Sequence, residues 1–329
     1  MRQLRGGVLA AVLAAVLAAA PLAGAAAASG LILVTNEGDN SLTVLQPDGT
    51  KVESIPTCAR PRGIRFSADR AQFFVACGDD NQIGIYDTAT RKLVRRIRGV
   101  EEPETFALHP DGRHLYVSNE EDAAASVYDI ETGELVAEFE TGEEPEGVLA
   151  TPDGRYVFVT SEAANMVHVI DVAAQKVKAD LLVDTRPRRF ALSRDGRQLW
   201  VTCELAGIAD IIDVETLKLI GDVTFLPPGF RKDQVTPVDL LITRDGTTAY
   251  VALGRANHVA VVDVATRKVR QYVLVGSRPW GLALSGDEKT LYVANGLSDD
   301  LSIVDTDSLK VRRSVPVGRT PYGILIDDR

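Results

Sequence analysis

Arginines, carboxylates and two large aromatics recur at one kind of place in this chain of 329 residues. Each follows a proline that opens an apolar stretch. They are Arg62, Glu104, Glu146, Arg188, Trp280 and Tyr322, with Val238 in the same place and Arg189 one position further on. Guanidinium and carboxylate groups in this number suit two kinds of chemistry. The arginines can hold a flat, anionic ligand by two-pronged hydrogen bonds, with the aromatics as a stacking surface. Alternatively, Glu104 or Glu146 acts as a general base while Arg62 or Arg188 stabilises an oxyanion. A third outcome has no chemistry in it: Arg62 and Arg188 simply pair with Glu104 and Glu146 and neutralise a polar rim. The choice depends on the elements that carry these residues.

Those elements repeat. The segments "LVTN" at Leu33, "FVAC" at Phe74, "YVSN" at Tyr116, "FVTS" at Phe158, "WVTC" at Trp200, "YVAL" at Tyr250 and "YVAN" at Tyr292 follow one another at steps of 41, 42, 42, 42, 50 and 42 residues. A period in the low forties built from short strands indicates a propeller. Four strands are legible in each unit: an apolar strand a after the proline, strand b in the quoted segments, strand c as in "VHVID", and strand d as in "KVRQYVLVG". The expected fold is all-β, seven blades of four antiparallel strands. The chain begins at a b strand, "LILVTN", and finishes on an unpaired a strand, "PYGILIDD". Tyr322 to Ile326 is therefore expected to dock beside Leu31 to Thr35 and close the ring from both termini.

Strands alternate in direction, so the d–a and b–c loops share one face of the ring. The proline-linked residues then surround the mouth of the central channel. The b–c loops add Glu37, Glu120, Glu121, Asp122, Glu162 and Glu204, and the d–a loops add Arg60, Arg186, Arg278 and Arg319. Polar residues that recur in every unit have a structural explanation instead. Asp87, Asp129, Asp171, Asp213, Asp263 and Asp305 end strand c, and Asp69, Asp111, Asp153, Asp195, Asp245 and Asp287 sit in the a–b turn; both sets fit Asx-type turns.

The repeat segments "YVSN", "VHVID", "VPVG", "RPWG" and "HPDG" resemble the YVTN family of β-propeller repeats. The blade-specific stretches "ARPRGIRF", "VACGDDNQIGIYD", "RPRRF", "FLPPGFRKD" and "NGLSDDLSIVD" resemble one exported subfamily. That subfamily is the β-propeller protein associated with alcohol catabolism dependent on pyrroloquinoline quinone (PQQ). The resemblance implies a setting in alcohol oxidation or transport, with a dehydrogenase or transporter component as partner, and no mechanism.

One segment breaks the rhythm. "FLPPGFRKD" lengthens the d–a loop before Pro237 by eight residues. Pro227 and Pro228 stiffen it and Gly229 permits a turn, so Phe230, Arg231 and Lys232 are expected to face inward over the mouth as a lid or partner-docking loop. Three cysteines cannot all pair internally. Cys58 and Cys77 fall on one face of one blade and are left open between a disulfide and two thiols; Cys203 lies nearly opposite Cys77 and is expected to be free. His109, His114, His168 and His258 show no metal-ligand spacing, so no metal site is expected from them; a carboxylate cation site in the acidic arc stays open, with Asn36, Asn119 and Asn295 nearby. Neither a C-x-x-C-H haem motif nor a G-x-S-x-G nucleophile motif occurs.

The opening residues carry Arg2 and Arg5, an apolar core from Val8 to Ala20 and a run of small residues. This predicts a secretory signal over residues 1–28, cleaved near Ala26 to Ala28, and a single propeller over residues 29–329. The expected location is the periplasm, with no membrane span in the mature chain, which is expected to be monomeric. A formal charge of −10, two units more negative once Arg2 and Arg5 are gone, argues against nucleic acid as a partner. The leading expectation is a non-enzymatic propeller binding PQQ, another small anionic ligand or a periplasmic partner. A propeller hydrolase of the lactonase type and a purely structural interaction platform are the alternatives.

Overall fold

The computed structural model describes residues 28–328, and the expected signal segment up to residue 27 lies outside the described residues. Seven four-stranded antiparallel sheets form a ring. Blade 1 takes its innermost strand from the end of the chain, Pro321–Ile326, and its other three from the beginning, Ile32–Asn36, Ser41–Leu45 and Lys51–Pro56. Ile32 pairs with Ile326, Leu33 with Leu325 and Val34 with Ile324. Backbone bonds from Gly30 to Asp327 and from Asp327 to Leu31, at 2.7 and 2.8 Å, extend the closure. No helix among the described residues is long and apolar enough to cross a membrane.

Side chains along a strand point alternately to opposite faces. In a propeller both faces of a blade meet a neighbour, so strands b and c must be apolar throughout. In blade 2, Gln72–Cys77 buries Phe73, Val75 and Cys77 against blade 1, and Phe74 and Ala76 against blade 3. The interior is accordingly seven apolar clusters, one between each pair of neighbouring blades. Strand d lies at the rim and keeps a plain alternation, as in Lys176–Leu182. The recurrent aspartates hold the turns: Asp87 Oδ1 accepts from the N–H of Thr90 at 2.8 Å, and Asp213 does the same for Thr216 at 2.7 Å.

Two repeated backbone devices aim side chains at the mouth. The residue before the blade proline adopts left-handed backbone, with φ of 51° at Arg60, 62° at Arg186 and 56° at Arg278. Each is fixed through its N–H by an asparagine of the preceding b–c loop: Asn40, Asn165 and Asn257 accept at 2.9 Å in all three cases. The second device is a register shift between strands a and b just after the proline, as between Pro61 and Ile64 or Pro187 and Phe190. In blades 2 and 5 the two residues after the proline are thereby released from the ladder, and in blade 7 one is, Trp280.

Candidate functional site

At the first of these two positions the charged residues pair with one another. Arg62 contacts the Glu104 carboxylate and lies 3.6 Å from Glu37. Arg188 reaches Glu146 at 3.2 Å, Glu162 at 2.7 Å and Glu204 at 3.2 Å. Arg60 adds Glu104 at 2.8 Å, and Arg186 adds Glu162 at 2.5 Å. Arg62, Glu104 and Glu146 are 8%, 0% and 4% exposed, so this network is a buried plug and not an open rim. The guanidiniums of Arg188, Arg189 and Arg62 hold Glu146 well below the usual carboxylate range against the opposing effect of burial. Glu146 is therefore a poor base, and Glu104 is enclosed. The sequence-based assignment of either as general base, or of Arg62 and Arg188 as free ligand contacts, is corrected by this pairing.

Tyr322 completes the plug from across the channel. Its hydroxyl donates to Glu146 Oε1 at 2.8 Å and accepts from Arg189. The Arg62 guanidinium lies 4.5 Å from the Tyr322 ring centroid, and Trp280 meets the same ring edge-on at 5.4 Å. The acidic group Glu102, Glu104 and Glu120, whose ligand atoms lie within 4.8 Å of one another, already has a cation. Arg60 contacts Glu102 and Glu104 directly and stands 4.0 Å from Glu120.

Below the plug is a cavity of about 600 Å³ lined by strand a of all seven blades. Of the sequence-derived set, Arg189, Trp280 and Tyr322 line it; Arg62, Glu104, Glu146 and Arg188 do not. Its walls are mostly aliphatic, and three charged side chains stand in them: Arg65, Arg189 and Asp239. Asp239 Oδ1 and Oδ2 each accept one backbone N–H, from Leu240 and Leu282, both at 2.9 Å. Burial nevertheless raises the Asp239 carboxyl above its ordinary value, with Arg189 and Arg65 pulling the other way. Arg65 lines the cavity and is exposed to solvent there; desolvation by the surrounding protein lowers it, while the Asp239 carboxylate favours its charged form.

Sequence reasoning missed Arg65 and Asp239, although the repeats mark them. The second residue after the blade proline is Gly63, Thr105, Gly147, Arg189, Asp239, Gly281 and Gly323. Glycine is used there because neighbouring blades touch: a Cβ on Gly147 would overlap the Arg188 carbonyl oxygen, and one on Gly281 that of Tyr322. Only blades 5 and 6 place a charged side chain at this position, and they are adjacent. Arg65 is likewise the one charged residue two places further along, where other blades carry alanine or leucine.

The structure also assembles a Ser–His–Asp row the sequence did not suggest. Nδ1 of His168 is 2.6 Å from Asp180, and Nε2 is 2.9 Å from Ser161 Oγ. Ser161 is fully buried, and the Gly142 N–H donates to its Oγ at 3.0 Å while the Gly142 carbonyl accepts from it. The same b–c–d row in blade 3 is Asn119, Ser126 and Glu138, bonded at 2.7 and 3.1 Å. It is a cross-strand strut, with no route for substrate to the hydroxyl.

The long loop does not cover the mouth. Phe230 meets His258 edge-on at 5.6 Å and packs into the cluster between blades 5 and 6, while Leu226 donates its N–H to the Tyr272 hydroxyl at 2.9 Å. Tyr272 lies on an outer strand, so the loop is drawn outward. Arg231 is exposed and pairs with Asp233 at 3.2 Å, Lys232 opens a short 3-10 turn, and none of Pro227, Pro228, Gly229, Phe230, Arg231 or Lys232 lines the cavity. The expectation of an inward lid is corrected: Phe230 packs on His258 and the cluster between blades 5 and 6, and Leu226 is tied to Tyr272. Cys58 and Cys77 are disulfide-bonded with Cα atoms 5.6 Å apart, and Cys203 is a buried free thiol.

Comparison with known proteins agrees with this architecture. A family described as "Lactonase, 7-bladed beta-propeller" matches residues 183–314, and one described as "YNCE-like beta-propeller" matches residues 104–192. No match was found among curated proteins. Among solved structures, the periplasmic gluconolactonase PpgL of Pseudomonas aeruginosa superposes with a TM-score of 0.77 at 22% identity, over 90% of this chain and 98% of that one. The hydrazine synthase of Kuenenia stuttgartiensis gives 0.72 at 22% identity, over 80% and 88%. Likeness at this level establishes the shared propeller and leaves the chemistry to the site.

Proposed function

We propose that the protein is a hydrolase of small lactones, with the cavity beneath the plug as its active site. The observation that carries this reading is the pair Arg189 and Asp239. They stand in adjacent blades, at the position otherwise held by glycine or threonine, and both line one cavity. Asp239, its carboxyl raised by burial, accepts a proton from a water molecule as that water attacks the lactone carbonyl carbon. The carbonyl oxygen takes up the negative charge, which Arg65 stabilises directly and Arg189 stabilises with the nitrogens it does not already give to Glu146 and Tyr322. Collapse of the adduct breaks the ring C–O bond, Asp239 returns its proton to the leaving alkoxide, and a hydroxy acid departs. Trp280 offers a flat wall for a sugar-like ring. The lactonase family match over residues 183–314 supports the reading and spans Arg189, Asp239 and Trp280.

A second reading retains the PQQ-linked setting: an exported propeller that binds PQQ or another carboxylated molecule and serves a dehydrogenase or transporter. Arg65 facing the cavity favours it, whereas Arg62, Arg188 and Arg189 each reach a glutamate. The two readings separate in one assay. Purified protein is incubated with D-glucono-1,5-lactone in a pH-stat, and its tryptophan fluorescence is titrated with PQQ. Turnover above the spontaneous rate supports the hydrolase; saturable quenching without turnover, lost on replacing Arg65, supports the binder and overturns it.

A further inference from the structure

The turn between strands a and b of blade 3, on the face opposite the plug, differs from its counterparts. In blades 2, 4, 5, 6 and 7 a serine or threonine hydroxyl donates to the turn aspartate at 2.6 to 2.7 Å. In blade 3 that residue is His109, and the residue closing the turn is His114. The four histidines show no metal-ligand spacing in the sequence, yet His109 and His114 flank one turn, which brings both rings to Asp111.

Asp111 divides its two oxygens. Oδ1 accepts the N–H groups of Arg113 and His114 at 2.8 and 3.0 Å, which holds the turn in the common shape. Oδ2 is left facing Nδ1 of His109 at 2.9 Å and Nδ1 of His114 at 2.6 Å. The His109 tautomer is set from the far side of its ring. Nε2 lies 3.0 Å from the Gly154 carbonyl oxygen, which can only accept, so Nε2 carries the proton. The N–H of Asp111, 3.3 Å from Nδ1, also demands a lone pair there. With Nε2 protonated in the neutral ring, a lone pair and a carboxylate oxygen face each other at 2.9 Å, a contact that a proton or a metal cation at Nδ1 satisfies. Arg113, the nearest fixed cation in the sequence, is turned away to Asp129 at 2.6 Å.

We propose that His109, Asp111 and His114 bind one divalent transition-metal cation of the zinc class through the two Nδ1 atoms and Oδ2. Two imidazoles and a carboxylate are a borderline donor set that suits zinc, nickel or cobalt and not calcium. The three atoms lie within 4.8 Å of one another. Tetrahedral bonds of ~2.0–2.1 Å place ligands about 3.3 Å apart, so small movements of rings already in place complete the site. The Gly154 carbonyl is the outer partner that a metal-bound histidine needs for orientation. Gly154 has φ of 71°, and a Cβ there would come within 2.9 Å of His109 Nε2, so glycine also makes room for the ring. The side chains of Asp111 and His114 are 37% and 29% exposed, which leaves the fourth position to water. The bound cation pins the turn of blade 3 to that of blade 4 through His109.

The test uses untagged protein, stripped of metal with a chelator and titrated with zinc chloride by calorimetry. The expected result is saturation at one equivalent, with affinity about 100-fold or more lower in His114→Ala and Asp111→Asn and unchanged in His258→Ala. Long-range nitrogen spectra of the histidine rings in the wild-type chain provide a readout that needs no variant to fold: zinc should move Nδ1 of two of the four histidines. Absence of saturable binding, binding intact in His109→Gln/His114→Gln, or shifts at none or all of the rings would overturn the assignment.

Discussion

The Tyr322 hydroxyl donates to Glu146 Oε1 at 2.8 Å, joining the last strand of the chain to blade 4 on the far side of the channel. The bond seals the mouth and roofs the cavity that holds Asp239. It also joins the strand that closes the ring to the charged network, so closure and site share one residue.

Loss of either partner should be felt in stability. Glu146 faces Arg189 at 2.9 Å, Arg188 at 3.2 Å and Arg62 at 4.0 Å. Glu146→Gln leaves three buried cations undercompensated and is expected to cost about 3–5 kcal/mol in urea unfolding. Tyr322→Phe removes one donor and is expected to cost about 1–3 kcal/mol. Equal, negligible effects from both would mean that the plug is hydrated and open.

Ser161 should be dispensable for turnover. Its hydroxyl is enclosed between His168 and Gly142. Ser161→Ala is expected to leave lactone hydrolysis within about twofold and to lower stability by about 1–3 kcal/mol. A loss of activity on the scale of a missing nucleophile would transfer the chemistry to the blade 4 row.

The Cys58–Cys77 bond closes a loop with a sequence separation of 19. Replacing both cysteines by alanine is expected to cost about 2–4 kcal/mol, chiefly by freeing the unfolded chain. Comparing oxidised and reduced wild-type protein by denaturant unfolding measures the same difference.

The pH dependence of turnover should report Asp239. Its folded pKa is raised above 3.8, and only the ionised form accepts a proton from water. The rate is therefore expected to fall as pH drops through a value above 3.8. Arg65 favours the carboxylate form, so Arg65→Leu should move this acid limb to higher pH. A limb that stays in place in Arg65→Leu would belong to another group.

The blades were legible in the sequence because a propeller imposes the same local demands seven times. Apolar b and c strands, turn aspartates and the split first blade all repeat or close a pattern. Residues after the proline could be placed near the channel, but not resolved into plug and cavity. Whether Arg62 meets a ligand or Glu104 depends on packing between blades, which no local pattern encodes. The first position after each proline does not reveal Arg65 and Asp239: Asp239 stands at the second position, which is charged only in blades 5 and 6, and Arg65 at the fourth position of blade 2. The course of the long loop is set by residues distant in the chain: Phe230 packs on His258, and Leu226 bonds Tyr272. His109 and His114 flank one turn in the sequence, but their spacing does not show that both rings meet Asp111.

Asp239 as the base is the central claim, and the decisive measurement is the rate of lactone hydrolysis by Asp239→Asn beside the wild-type chain. The amide fits the same space and cannot take a proton from water. The prediction is a fall in kcat of about 10²–10⁴-fold; the amide leaves one of the Leu240 and Leu282 N–H groups without an acceptor, so the unfolding midpoint is expected to fall modestly while the protein stays folded. Turnover at the wild-type rate in a folded Asp239→Asn protein would contradict the account.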